Sequence, residues 1–324
     1  MKYTITELEA NQRIDKFLKR MLKDAPLSFL YKMFRQKDVK VNGKKAKIDY
    51  ILKEGDVVDI YLKEQLMDQF HKEAKLRPVK ADFKIIYEDD NVLVIDKPKG
   101  ILVHGDEGEK RITLQNMVLN YLKEKGEWDP SSLDGFIPSP CHRLDRNTSG
   151  IIFFAKNLPS LQQLLELFRE RTKIEKRYTL LVRGKIDSFG EINLPLIKDS
   201  EKRIVKVGKI EKGAKPALTK YKRLKAYPYG YSLVEAELMT GRTHQLRVHF
   251  ASISHPIVGD SKYGDYQVND FFERMYGLKN QFLHASYFKF KELDGHLAYL
   301  SNKEFVSPLP EKLQKIIDSI SSLN

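Results

Sequence analysis

Ten residues, Cys141-His142-Arg143-Leu144-Asp145-Arg146-Asn147-Thr148-Ser149-Gly150, run directly into the apolar stretch Ile151-Ile152-Phe153-Phe154-Ala155. Few architectures accommodate that junction. Asn, Thr, Ser and Gly favour a turn, and the β-rich apolar run carries the chain into a sheet. Asp145 stands between Arg143 and Arg146; opposite charge on both sides favours its ionised form. A short side chain on a turn, backed by a buried strand, is also held rigidly, as a nucleophile must be. The same chemistry fits an Asx-type turn or a structural ion pair at a strand end, and these residues alone do not choose.

The chain around this junction has 324 residues, room for two domains at roughly 150 residues each. Hydrophobic residues at 41% and charged residues at 31% fit a folded soluble chain rather than a disordered one. Lys and Arg number 57 against 44 acids, a formal charge of +13, which favours a polyanionic partner through counterion release. Charge alone leaves nucleic acid, anionic membrane and acidic protein open. No stretch reaches the roughly 18 consecutive apolar residues of a membrane span, and the start, MKYTITELEANQR, lacks a signal-peptide core. The single cysteine excludes an internal disulfide framework and suits a reducing compartment, so a cytoplasmic location is expected.

Residues 1–65 read as a small helix-and-hairpin unit. Ile14, Phe17, Leu18, Met21 and Leu22 recur at helical spacing, and Leu27, Leu30, Tyr31 and Phe34 form a second stripe after Pro26. Asn42-Gly43 is the favoured two-residue hairpin turn, and Val57–Leu62 supplies a closing strand. Residues 66–80 read as a linker in which His71 is solvated, and residues 81–324 as the larger unit. There, Phe83–Ile95 predicts strand, acidic turn, strand, and Asp96-Lys97-Pro98-Lys99-Gly100 a rigid loop. Thr113 caps a helix striped by Leu114, Met117, Val118, Tyr121 and Leu122. Short strands and turns between 178 and 240 predict an antiparallel sheet. The loop at 198–215, with Lys198, Lys202, Arg203, Lys206, Lys209, Lys212 and Lys215, is strongly basic. In Gly241-Arg242-Thr243-His244-Gln245-Leu246-Arg247-Val248-His249, Thr243 is placed to cap a helix through Phe250 and Ile253. Residues 265–281 interrupt the pattern as an insertion, Leu283–Phe290 returns to the sheet, and a helix ends the chain.

Metal chemistry is disfavoured. His244 and His249 are five apart, whereas two ligands on one helical face need i, i+4 spacing, and no H-E-x-x-H or paired-Cys motif occurs. Cys141 and His142 are adjacent and point to opposite sides of an extended segment, so they make a poor nucleophile–base pair. No Walker loop, G-x-G-x-x-G or G-x-S-x-G is present, so neither metal nor cofactor is expected.

Three ordered segments nevertheless match one family. HRLDRNTSG, the DKPKG loop, and GRTHQLRVH followed by HPIVGD and Tyr263-Gly264 resemble the signatures of the RluA family of RNA pseudouridine synthases. Residues 12–62 resemble the S-four RNA-binding domain, as in the RluC and RluD branch, whose members modify large-subunit ribosomal RNA. The resemblance implies an α+β fold with a mixed, largely antiparallel sheet, flanking helices and a central cleft. It implies isomerisation of uridine in RNA by base flipping, without metal or cofactor. By the same resemblance Asp145 is the catalytic carboxylate, attacking the anomeric carbon or removing the adjacent ribose proton. Arg242 is the arginine that pairs with it, and Tyr178 stacks on the flipped base. Arg143 fills the vacated place in the RNA stack, and Leu283 floors the base pocket. Lys32, Arg35, Lys37, Lys40 and Lys44 are the candidate phosphate contacts of the N-terminal unit. A non-catalytic RNA-binding protein, a uracil-releasing glycosidase and a transfer-RNA target are the competing expectations.

Overall fold

The computed structural model describes residues 1–71, 76–105, 111–132, 134–199 and 204–322. The N-terminal unit comprises β1 (Lys2–Thr4), α1 (Ile14–Met21), α2 (Leu27–Gln36), β2 (Val39–Val41), β3 (Lys44–Lys45), β4 (Val57–Ile60) and α3 (Glu64–Phe70). Its strands pair in the order β1-β4-β2-β3. Asn42 and Gly43 join β2 to β3 with φ of 50° and 75°, a turn that L residues with branched side chains resist. The apolar stripes of α1 and α2 pack on Val39, Val41, Val58 and Ile60.

Two expectations change here. Of the 66–80 stretch expected as linker, residues 66–70 belong to helix α3, and Phe70 packs into the N-terminal core with its ring 4.8 Å from that of Phe29. Leu66, Met67 and Phe70 fill less than two helical turns, too little periodicity to stand out in sequence. His71 is not simply solvated. Its Nδ1 lies 2.8 Å from the Met21 carbonyl and its Nε2 3.2 Å from the Ser131 carbonyl, bridging the two units.

The larger unit follows as β5 (Lys84–Glu88), β6 (Val92–Lys97), α4 (Leu114–Glu124), β7 (Ser139–Pro140), β8 (Ser149–Ala155), α5 (Leu158–Glu170), β9 (Ile174–Arg183) and β10 (Phe189–Asn193). Then come β11 (Leu196–Asp199), β12 (Ile204–Val207), β13 (Leu218–Tyr227), β14 (Tyr231–Leu238), α6 (Gln245–Ser252), α7 (Tyr266–Tyr276), β15 (Leu283–Phe290), β16 (Glu304–Val306) and α8 (Glu311–Ser321). One sheet runs β10-β13-β14-β9-β15-β8-β6-β5, with β7 on β8 and β16 on β15. Among the described strands only β8 and β15 pair parallel, which makes the sheet mixed and largely antiparallel. The 265–281 insertion carries α7. Of the basic loop, residues 202 and 203 lie outside the described residues, and the flanking segments pair as β11 and β12.

Strands β6 and β8 are apolar at nearly every position because both of their faces are covered. Leu93, Ile95, Ile152 and Phe154 meet Leu114, Val118 and Leu122 of α4. Val92, Val94, Ile151 and Phe153 meet Leu164, Leu167 and Phe168 of α5, together with Phe288, Phe290 and Phe305. The Thr113 cap holds as expected, its Oγ1 accepting the Asn116 N–H at 3.3 Å. Where β8 leaves the central turn, Gly150 has φ of 111° and a Cβ there would lie 2.7 Å from the Ala285 backbone nitrogen. Only glycine lets the parallel pair close at the point that aims Asp145.

Gly150→Ala should therefore cost about 3 kcal/mol in urea unfolding, from overpacking plus the left-handed backbone. Gly126→Ala, with φ of 74° and nothing within 4 Å of the added methyl, should cost only about 1 kcal/mol.

Candidate active site

The turn before β8, the starts of β9 and β15, and the loop into α6 enclose a cleft of about 780 Å³. Asp145 sits on its floor because the turn is tied from below. The fully buried Lys97 at the end of β6 donates to the carbonyls of Pro98, Arg146 and Thr148 at 2.9, 3.0 and 2.8 Å. Burial pulls its pKa down to about 7, opposed by the charges of Asp145 and Asp96. Within the turn, the Thr148 N–H donates to the Asp145 carbonyl at 3.0 Å.

The guanidinium that meets Asp145 belongs to Arg247, not to Arg242. Arg247 Nη1 lies 3.0 Å from Asp145 Oδ2, while Nε and Nη2 grip Asp260 at 2.6 and 2.8 Å. The two carboxylates are not equivalent. The Asp260 side chain is fully buried, whereas 28% of the Asp145 side chain remains exposed to the cleft. Asp260 also accepts the Lys262 and Tyr263 N–H groups. Its pKa lies below the ordinary value because burial, which raises it, is outweighed by Arg247 and these donors. Arg247 is raised in turn, the two carboxylates overcoming burial. Asp260 is thus the anchor and Asp145 the end open to the cleft.

Arg242 also lines the cleft, but its hydrogen bonds go elsewhere. Its Nε donates to the Pro216 carbonyl at 2.9 Å and its N–H to Gln245 Oε1 at 2.9 Å. Thr243 does not cap α6. His244, at φ of 54°, occupies the N-cap position, and the Gln245 side chain organises the loop by bonding Thr240, Leu218 and Thr219. His244 Nδ1 bonds the Tyr263 hydroxyl at 2.8 Å, leaving Nε2 3.9 Å from Asp145 Oδ2. Burial lowers the His244 pKa despite that carboxylate. The Tyr263 ring also lies 5.1 Å under the Arg247 guanidinium. His249 and His255 turn elsewhere, His249 to Thr219 and Leu194 and His255 to the Arg183 carbonyl.

Tyr178 on β9 and Leu283 on β15 both line the cleft and are 5% and 4% exposed. Burial raises the Tyr178 pKa, so its phenol stays protonated at neutral pH. Arg143 stands exposed at the rim. In the N-terminal unit Lys32, Arg35, Lys37 and Lys44 are exposed on α2 and the following hairpin, and Lys40 lies half-buried with Nζ 4.7 Å from the Tyr61 ring. Sequence reasoning missed Arg247, Asp260, His244 and Tyr263. The available signal was Arg247 itself, an arginine between Leu246 and Val248 in a run that buries its neighbours.

Comparison with known proteins identifies the family. RNA pseudouridylate synthase matches residues 91–252, and the S4 domain matches residues 12–58. The ribosomal large subunit pseudouridine synthase C of Vibrio vulnificus (strain CMCP6) is 37% identical over 321 residues, 98% of this chain and 95% of its own. The chain belongs to the RNA pseudouridylate synthase family. The Escherichia coli O6:H1 protein of the same name is 36% identical, covering 88% of this synthase and 87% of its own length. The structure of human RNA pseudouridylate synthase domain containing 4 superposes with a TM-score of 0.57 at 25% identity, over 73% of this chain and 92% of that one. The synthase is accordingly an isomerase with an N-terminal RNA-binding domain. Among its described residues no helix is long and apolar enough to cross a membrane.

In this synthase Arg247→Met should leave Asp260 buried without its counter-charge and cost about 3–5 kcal/mol at pH 7. The native Asp260 has a lowered pKa, so its contribution is complete above the ordinary carboxylate value of about 3.9 and fades below it. In the variant, burial instead favours the protonated acid. The stability gap between the two proteins, measured by urea unfolding, should therefore narrow as pH falls toward 4.

Proposed function

We propose that this synthase converts specific uridines of large-subunit ribosomal RNA to pseudouridine, with Asp145 as the catalytic carboxylate and Arg247 as its counter-ion. The observation that carries this reading is the Asp145–Arg247 pair at the floor of a cleft walled by Tyr178 and Leu283. The relatives named for the ribosomal large subunit align with nearly the whole chain, N-terminal domain included. We place the reaction in the cytoplasm, where such RNA is matured.

The isomerisation is redox-neutral. The N1–C1′ bond breaks, the uracil rotates, a C5–C1′ bond forms, C5 loses its proton and N1 gains one. A base stacked in RNA cannot rotate, so the nucleotide is flipped into the cleft. Tyr178 then stacks on the base, an interaction worth roughly 1–3 kcal/mol. Leu283 closes the floor, and Arg143 at the rim fills the vacated place in the stack. Asp145 acts either on the anomeric carbon or on the adjacent ribose proton. In both routes Arg247 prevents the carboxylate from losing its counter-charge as water leaves the cleft, a loss costing several kcal/mol. Lys32, Arg35, Lys37, Lys40 and Lys44 hold phosphates at a distance from the chemistry, setting register rather than sequence.

Pseudouridine mapping of total RNA from cells with and without the gene should show sites lost from large-subunit RNA. Sites lost only from transfer RNA would overturn the substrate assignment. Asp145→Asn should abolish product in vitro while keeping RNA affinity within about five-fold, since it removes charge from the floor and no phosphate contact.

A further inference from the structure

Among the described residues the cleft is lined by one acid, Asp145, and by eight arginines and lysines. Arg247 accounts for Asp145. Two of the remaining cations lie against Tyr178 without an acidic partner among those residues. Arg171 ends α5 with φ of 65°, and its side chain makes no hydrogen bond or ion pair among the described residues. Gly241 leaves room for it, because a Cβ there would clash with Arg171 Nη2. Lys176 is two residues before Tyr178 on the same face of β9, 9% exposed, with Nζ 5.3 Å from the Phe168 ring and 5.8 Å from the Tyr178 ring.

A buried histidine stands beside the Lys176 amine. Burial, with the charge of Arg171 adding to it, holds His142 neutral. The Phe153 N–H donates to His142 Nε2 at 3.2 Å, so the ring proton is on Nδ1, which faces Lys176 Nζ at 3.4 Å. An N–H turned toward Nζ disfavours an ammonium there. Burial beside Arg171, which brings Lys176 to about 7, acts in the same direction.

We propose that Arg171 and Lys176 form a seat for a backbone phosphate flanking the flipped nucleotide, with Lys176 taking up a proton as the phosphate arrives. This rests on the pseudouridylation reading. A half-buried guanidinium and a buried amine, with no carboxylate paired to them among the described residues, suit a full negative charge better than the neutral edge of uracil. Placement beside Tyr178 puts that charge next to the stacked base. The groups facing Lys176 are His142, Arg171 and Tyr178, and of these four side chains Lys176 alone changes charge near neutrality.

The test uses the full chain and an RNA fragment in which the wild type forms pseudouridine; failure to find any such fragment would count against the functional reading itself. Arg171→Gln and Lys176→Met, checked for native melting, should each raise KM roughly ten-fold with a smaller change in kcat. Each should lower the salt dependence of binding by about 0.7 in log–log slope. An uncharged methylphosphonate at one flanking position should weaken wild-type binding by a similar factor and leave both variants little changed. Equal losses in wild type and variants at every flanking position would overturn the seat. The wild-type KM should rise as pH climbs above 7, because the proton taken up on binding becomes scarcer. That rise should vanish in Lys176→Met, and its persistence there would remove Lys176 from the proposal. Arg171→Gln, at a half-exposed position, keeps the seat testable should Lys176→Met fail to fold.

Discussion

One guanidinium determines how the cleft is built. Arg247 is held by two bonds to a buried carboxylate and extends its third arm to an accessible one. A buried ion pair of this kind contributes little net stability, because desolvation offsets the Coulomb gain. Its value is positional: the strong bond to Asp260 leaves Arg247 no freedom, so Asp145 meets a counter-charge at a fixed place. The Tyr263 ring beneath the guanidinium and the Tyr263 hydroxyl against His244 join α6 and the 260–263 turn into the same assembly.

The sheet supplies the other half of that rigidity. Asp145 lies on a turn, and turns move unless something holds their backbone. Here Lys97 satisfies the Arg146 and Thr148 carbonyls from below, while Gly150 lets β8 close on β15. Three chain segments far apart in sequence, near 97, 145 and 285, therefore converge beneath one carboxylate. Apolar packing on both faces of β6 and β8 makes the convergence stiff.

Much of this was legible in the chain. The apolar run 151–155 announced a buried strand, Asn42-Gly43 a hairpin, Thr113 a helix start, and residues 283–290 a returning strand; each appears where it was expected. The misreadings share a cause. Helix α3 has too few residues to show a period, and its place depends on Phe70 reaching a core formed by residues 14–60. Thr243 looked like a cap because local spacing allowed it, but the Gln245 side chain had already claimed the loop through Thr240, Leu218 and Thr219.

The two arginines of GRTHQLRVH mark the limit most clearly. Local chemistry by itself determined that a carboxylate would sit on a rigid turn before a buried strand, that guanidinium groups would be near, and that the chain would carry excess positive charge toward a polyanion. It could not say which arginine would face Asp145. That choice depends on which residue of α6 points into the cleft and on Asp260, thirteen positions further along, turning back to receive it. Only tertiary structure decides such a pairing, because the energy that orients Arg247 comes from a partner that no local pattern places beside it.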